Sequence, residues 1–220
     1  MEGNGTQPFA AERSAMVERQ LRQRGIRDER LLIAMGKVPR HEFVGTQYLA
    51  QAYADHPVSI AEQQTTSQPY IIAAMIQAAK IKPEDRVLEI GAGSGYQTAL
   101  LAELARQVFA VERYASLSET ASRNLHRLGY RNIKIFTGDG SLGLLQASPF
   151  DAIIVSAAAP HIPAALEEQL ALGGRLVLPV GDADQQILQL VERHADGMIG
   201  VSTLEGCRFV PLIGRQGFAA

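Results

Sequence analysis

Cysteine is almost absent from this sequence: Cys207 is the only one in 220 residues. A single thiol excludes an internal disulfide framework and any metal site built from several thiolates, and it fits a reducing cytoplasm. Long apolar runs are missing as well, since no stretch approaches the ~20 residues that cross a bilayer. Met1 to Ala11 lacks the basic start and apolar stretch of a secretory signal and reads as a disordered lead-in. There is no excess of one charge either. The formal net charge is −2, which gives no overall attraction to nucleic acid. Arg13, Arg19, Arg22, Arg24, Arg27 and Arg30 do cluster, but Glu12, Glu18, Asp28 and Glu29 lie among them, the mixed pattern of a solvated, salt-bridged face. The five histidines (41, 56, 126, 161 and 194) lack the spacing of metal ligands. No repeat, low-complexity tract or linker divides the chain.

What is present is a soluble, globular composition, 46% hydrophobic and 20% charged, long enough for one well-buried domain with a helical extension. Apolar spacing from Met16 through Leu21 predicts a first helix ending near Gly25. Asp28 is placed to cap a second, which carries Leu31, Leu32 and Met35 before Pro39. Val44 to Pro69 is irregular, a length of loop that is usually functional. An apolar helix follows over Tyr70 to Ala79. From Arg86 the period changes. Short apolar strands (87–90, 108–111, 133–136, 152–155 and 175–180) alternate with helices (96–105, 117–128 and 164–170). That alternation predicts an α/β fold with a Rossmann-like, mostly parallel sheet and helices on both faces. Gln186 to Val191 and Met198 to Leu204, joined at Asp196-Gly197, read as an antiparallel hairpin at the C-terminal edge.

The glycine loop Glu89-Ile90-Gly91-Ala92-Gly93-Ser94-Gly95 follows the first parallel strand, where α/β sheets bind ligands at strand carboxyl ends. By itself it fits a cofactor loop and a tight structural turn equally well. Its third glycine falls one position short of the dinucleotide spacing, where Tyr96 stands, and this disfavours NAD. Two acidic residues at strand ends strengthen the cofactor reading. Glu112 can accept from both hydroxyls of a ribose, and Asp139, in Gly138-Asp139-Gly140, is placed to accept from the amino group of adenine. Ser67, two residues before Pro69, reads locally as a helix cap.

Several segments, taken in order, resemble the protein-L-isoaspartate O-methyltransferase family, within the class I S-adenosylmethionine-dependent methyltransferases. They are Gln64-Thr65-Thr66-Ser67-Gln68-Pro69, the run Val87 to Gln97, Gly138-Asp139-Gly140, Pro149-Phe150-Asp151, Ala157-Ala158-Ala159-Pro160, Gly173-Gly174-Arg175-Leu176 and Phe209-Val210-Pro211-Leu212. The resemblance runs from about Met16 to Leu212. It implies S-adenosyl-L-methionine as methyl donor, S-adenosyl-L-homocysteine as product, and the free α-carboxylate of L-isoaspartyl residues in damaged proteins and peptides as acceptor. It implies Ser67 as the active-site serine, with Thr65, Thr66 and Ser67 closing over the cofactor. Glu89, Gly91 and Gly93 would line the methionine portion, Glu112 the ribose with Arg113 beside it, and Asp139 with Gly140 the adenine. Ser67 and Val210 would hold the substrate peptide. The expected molecule is a monomeric cytoplasmic enzyme with no metal, nucleic-acid or membrane partner. Its residues 12–80 form a helical extension and active-site loop, and residues 81–220 a cofactor-binding core with C-terminal strands, all within one domain. Ile60-Ala61 departs from the family's usual Ile-Gly, which puts substrate fit in question if that position needs a positive φ.

Other readings are weaker on the same residues. An amino-methyltransferase acting on nucleic acid would carry Asn/Asp-Pro-Pro-aromatic after the fourth strand, where this chain has Ser156-Ala157-Ala158-Ala159-Pro160. A cysteine-dependent base methyltransferase would need a thiol there, and Cys207 lies far downstream. A carboxyl methyltransferase acting on small molecules would share all the cofactor residues. A cofactor-binding protein without turnover would not need the Thr-x-Ser loop.

Overall fold

The computed structural model describes residues 9–219. Most of the expected lead-in, residues 1–8, lies outside them, but Ala10 and Ala11 belong to helix α1 (Ala10–Ala15) and not to a disordered segment. A π-helical turn (Met16–Leu21) and a 3-10 turn (Arg22–Arg24) continue it to Gly25, which ends it in a left-handed conformation (φ +98°). Helix α2 (Glu29–Lys37) starts at Asp28, whose carboxylate accepts from the amides of Arg30 (2.9 Å) and Leu31 (3.2 Å), a cap contributing ~1 kcal/mol. The arginine cluster divides in two. Arg22 pairs with Glu18 and Glu29, and Arg24 with Asp55, on the surface. Arg13 is buried, and Arg30 reaches across to the carbonyls of Ile81 and Leu104.

The irregular region contains a small hairpin, β1 (Val58–Ser59) with β2 (Thr65–Thr66), and leads into α3 (Pro69–Ala79). The core then runs β3 (Arg86–Ile90), α4 (Tyr96–Leu104), β4 (Gln107–Glu112), α5 (Ala115–Arg127), β5 (Ile133–Thr137), β6 (Phe150–Val155), α6 (Ala164–Glu168), β7 (Leu170–Gly181), β8 (Gln186–Arg193) and β9 (Ile199–Cys207). Helix α6 is shorter than the sequence predicts and β7 longer, because Leu170 already pairs with Phe150 before a shift in register. The seven-stranded sheet has the order β5-β4-β3-β6-β7-β8-β9, parallel through β7, with β8 and β9 antiparallel. Successive strands run outward from β3 to β5, then resume on its other side at β6. The crevice at this reversal is where α/β sheets bind ligands.

Alternation along the strands assigns the two faces. Val87, Val108, Ala110, Ala152 and Ile154 pack with helices α1 to α5, while Leu88, Ile90, Phe109, Ile153 and Val155 face a smaller core shared with Leu166 of α6 and Leu212 of the tail. Helices therefore cover both faces, but unequally. Fully burying each of the valine, leucine, isoleucine and phenylalanine side chains contributes ~1.5–3 kcal/mol.

Candidate active site

Beyond β3 the backbone turns sharply, with φ of +89° at Gly91 and +55° at Gly93, values that side-chain-bearing residues rarely adopt. The Gly91 amide donates to the Val111 carbonyl (2.8 Å), extending the β3–β4 ladder. The Gly93 amide donates to Glu112 Oε2 (2.9 Å), and the Tyr114 amide to Glu112 Oε1 (3.0 Å). Glu112 is 5% exposed. An ionised carboxylate has about four acceptor positions, so Glu112 braces the loop with two and keeps two for a ligand. Ser94 is the counterpart: its Oγ is buried and meets no partner among the described residues.

Glu89 is placed differently from the expectation. It points to the helical face of the sheet, is wholly buried, and accepts from Gln97 Nε2 (3.0 Å) and Thr98 Oγ1 (2.6 Å). Burial pushes its carboxyl up to about 8, against the lowering effect of those two bonds. Gln97 Nε2 also donates to Ser156 Oγ (2.8 Å). Glu89 thus sits behind the site and orients Gln97, which lines it.

The β1–β2 hairpin lies over the glycine loop. A Cβ on Gly93 would lie 3.4 Å from Ile60 Cδ1, and Glu62 accepts from Ser116 Oγ on α5 (2.6 Å). The left-handed residues of this hairpin are Glu62 and Gln63, both at φ +57°, and not Ala61. Alanine in place of the family's glycine therefore introduces no strain here. Ser67 follows the hairpin and is not the helix cap. Gln68 occupies that position with no side-chain cap, and Pro69 starts the helix. The Ser67 carbonyl accepts from Arg40 (2.8 Å), while its hydroxyl has no partner among the described residues.

Two cavities meet at this serine. The first, about 170 Å³, is lined by Gly91, Gly93, Ser94 and Gly140 at the strand ends, by Glu112 and Arg113, and by Thr65, Thr66 and Ser67 of the loop. The second, about 190 Å³, opens toward Tyr70 and Cys207, and Thr65, Ser67, Ser156 and Val210 line both. Val210 arrives from 54 positions after Ser156 because the tail pairs with the segment after β6: the Ala158 amide donates to the Val210 carbonyl (2.8 Å) and the Leu212 amide to the Ala158 carbonyl (2.7 Å).

Asp139 departs from its expected place. Its Oδ1 accepts from the amide (2.9 Å) and hydroxyl (2.6 Å) of Ser141, and its Oδ2 from the Arg215 amide (2.8 Å). It does not line the first cavity, whereas Gly140 does. Burial opposes ionisation of Asp139, but the bonds from Ser141 and Arg215 outweigh it and hold the carboxyl below its ordinary range. No histidine lines either cavity, and among the described residues no group of three or more His, Cys, Asp or Glu side chains is placed to hold a metal.

This arrangement coincides with what the chain resembles. The model of the family described as protein-L-isoaspartate(D-aspartate) O-methyltransferase matches residues 11–217. The chain belongs to that family. A protein-L-isoaspartate O-methyltransferase of Koribacter versatilis (strain Ellin345) is 55% identical over 211 residues, covering 96% of this chain and 95% of the relative. One of Syntrophus aciditrophicus (strain SB) is 52% identical over 213 residues, covering 96% and 98%. Among solved structures, a protein-L-isoaspartate O-methyltransferase superposes with a TM-score of 0.83 at 29% identity, covering 93% of this chain and 67% of the other. A Plasmodium falciparum structure, described as this kind of methyltransferase in complex with S-adenosyl-L-homocysteine, superposes with a TM-score of 0.80 at 27% identity, covering 91% and 98%.

The cofactor of the family, S-adenosyl-L-methionine, fits the residues present: the turn of Gly91 and Gly93 leaves room for close approach, Glu112 has spare acceptor capacity, and the Ser94 hydroxyl is buried and unsatisfied. Sequence reasoning missed three residues that line the first cavity, Ser94, Gln97 and Ser156, and Arg40, which holds the loop from behind. Ser94 and Gln97 lie in or beside the glycine segment and Ser156 directly follows a parallel strand, so position was an available signal for all three. Arg40 carried none, because only the fold brings it to the loop. Cys207 corrects a second reading, since it lies in the wall of the second cavity although distant in sequence. Burial, then Glu205, pushes its thiol up to about 11, which leaves it protonated and unreactive at neutral pH.

Proposed function

We propose that the chain transfers a methyl group from S-adenosyl-L-methionine to the free α-carboxylate of L-isoaspartyl residues in damaged proteins and peptides. The observation that carries this reading is Ser67, with an unengaged hydroxyl, in the wall shared by two cavities. One cavity holds the glycine loop and Glu112, suited to the methyl donor. The other leads past Val210 to the surface, suited to a peptide. Bound in the first, S-adenosyl-L-methionine supplies an electrophilic methyl and departs as S-adenosyl-L-homocysteine.

The chain's own work is then mostly placement. An α-carboxylate is ionised at neutral pH, so the acceptor needs no base, and neither cavity wall contributes a histidine. Ser67 donates a hydrogen bond to one carboxylate oxygen and leaves the other directed at the methyl donor. Alignment of this kind can supply several kcal/mol of the barrier reduction. The hairpin and Thr65, Thr66 and Ser67 exclude water, which strengthens the electrostatic contacts inside. Val210 has its carbonyl taken by Ala158 and its amide free, which supports a backbone contact to substrate. Glu112 takes the ribose with Arg113 beside it, and Gly91 with Gly93 accommodates the methionine portion. Gly140 forms the adenine wall, and Asp139 holds that wall in place. Both cavities are complete within one chain, which supports a monomer acting as a single domain with a helical extension. No described helix is long and apolar enough to cross a membrane; we place the activity in the cytoplasm.

The test supplies methyl-labelled S-adenosyl-L-methionine with paired peptides that differ only in an aspartyl or isoaspartyl linkage. Label enters the isoaspartyl peptide alone. Equal labelling of both, or of neither, overturns the assignment.

A further inference from the structure

Arg40 opens the 3-10 turn Arg40–Phe43 and is completely buried, the largest such side chain among the described residues. No carboxylate pairs with it among the described residues. Its Nε donates to the Ala52 carbonyl (2.8 Å), Nη2 to the Ser67 carbonyl (2.8 Å) and Nη1 to Thr66 Oγ1 (3.3 Å), and the guanidinium carbon lies 4.7 Å from the centroid of the Tyr96 ring. Burial draws its pKa down, but a guanidinium starts so high that it keeps its charge. Burying an unpaired cation opposes folding, and an apolar side chain would fill the same space without that penalty. The charge therefore calls for a role besides packing.

Donor chemistry supplies one. A guanidinium has five N–H donors and no acceptor, so Thr66 Oγ1 can only accept from Arg40. The Thr66 hydroxyl hydrogen is then free to donate elsewhere. No acceptor meets it among the described residues, and Thr66 lines the first cavity but not the second. The same guanidinium fixes the peptide of Ser67, one of the four residues that line both. Building on the function proposed above, we infer that Arg40 is a positioning residue. It commits the Thr66 hydroxyl as a donor to the carboxylate of the cofactor's methionine portion, while it pins the backbone that carries Ser67. A protonated relay of this kind polarises the hydroxyl, and hydrogen bonds to an ionised group are about twice as strong as neutral ones.

Binding of two ligands separates this role from simple structural support. S-adenosyl-L-homocysteine carries the amino-acid carboxylate, and 5′-methylthioadenosine shares its adenosine and sulfur but lacks that carboxylate. Dissociation constants of both, by calorimetry on the full chain, are compared for Arg40→Met, Thr66→Val and the double variant. The expected result is a loss of ~10- to 100-fold for S-adenosyl-L-homocysteine in each single variant and less than about twofold for 5′-methylthioadenosine, with the double variant no worse than Arg40→Met alone. Equal loss for both ligands, or losses that multiply in the double variant, overturns the inference. If Arg40→Met does not fold, Thr66→Val and Arg40→Lys decide it through the same ligand pair, since neither buries an apolar end against the Ser67 carbonyl. None of these binding measurements requires a peptide acceptor. Failure of isoaspartyl labelling by the unaltered chain is therefore a separate result that bears on the acceptor alone.

Discussion

Near the amino ends of the strands, Asp85 and Arg175 are both less than a tenth exposed and meet at 3.3 Å. Arg175 also donates to the carbonyls of Lys80 (2.7 Å) and Asp151 (3.2 Å), and Asp85 accepts from the Lys82 amide (2.9 Å). At the carboxyl ends, Ser67 and Ser94 have unengaged hydroxyls, Glu112 uses half of its acceptor capacity, and Glu89 is buried without a cation. Buried charge at the first end is paired, although Arg175 Nε and the neighbouring Arg86 Nε meet no partner among the described residues. At the second end the open hydroxyls of Ser67 and Ser94 belong to residues that line a cavity, where a ligand can complete them. The contrast separates stability from chemistry within one sheet.

The largest expected effect breaks the paired end. Asp85→Ala leaves Arg175 buried without its anion and should remove ~3–5 kcal/mol of stability, read from urea unfolding. Arg175→Met added to it should restore a good part, while turnover of the folded fraction stays within about twofold. A loss below ~1 kcal/mol would erase the distinction between the two ends. Next, Ser67→Ala should lower kcat on the order of 10²-fold, as for removal of one oriented donor. Its affinity for S-adenosyl-L-homocysteine and its unfolding midpoint should not change, and a large fall in affinity would recast Ser67 as structural. Glu112→Ala should raise the dissociation constant of the same ligand ~10- to 100-fold; an unchanged constant would remove Glu112 from the cofactor site.

A further prediction concerns pH. Glu89 is held at about 8 in the fold against an ordinary 4.5, so the native state keeps a proton that the unfolded chain releases. Its contribution is fully present below pH 4.5 and is lost as pH rises through 8, by at most ~1.4 kcal/mol per pH unit. Glu89→Gln should flatten that part of the stability profile of the free protein. An unchanged slope between pH 5 and 8 would show that Glu89 is ionised throughout.

The strand and helix core was legible because its signals are local. Val87-Leu88-Glu89-Ile90 alternates between two buried faces, and Asp28 caps the helix it was expected to cap. Boundaries that depend on pairing were not: β7 starts at Leu170 because Phe150 lies beside it, not because of any change in apolar period. Ser67 shows the limit within the site. Its local context indicated a cap, and only the family resemblance indicated an active-site serine. The fold shows the cap position passing to Gln68 and the hydroxyl left free.

By itself the sequence determined that an α/β fold would form and that its first βα turn would be built of glycines with no room for the dinucleotide spacing, since these follow from periodicity and backbone freedom. It also contained the ordered motifs that identify the family. Tertiary structure alone decided that Glu89 lies behind the cavity, that Asp139 bonds Ser141 and the Arg215 amide, that Val210 shares both cavity walls with Ser67, and that a buried arginine holds the loop. Each of these depends on which distant backbone amide or carbonyl comes within hydrogen-bonding range, and that is fixed by chain packing, not by neighbours in sequence.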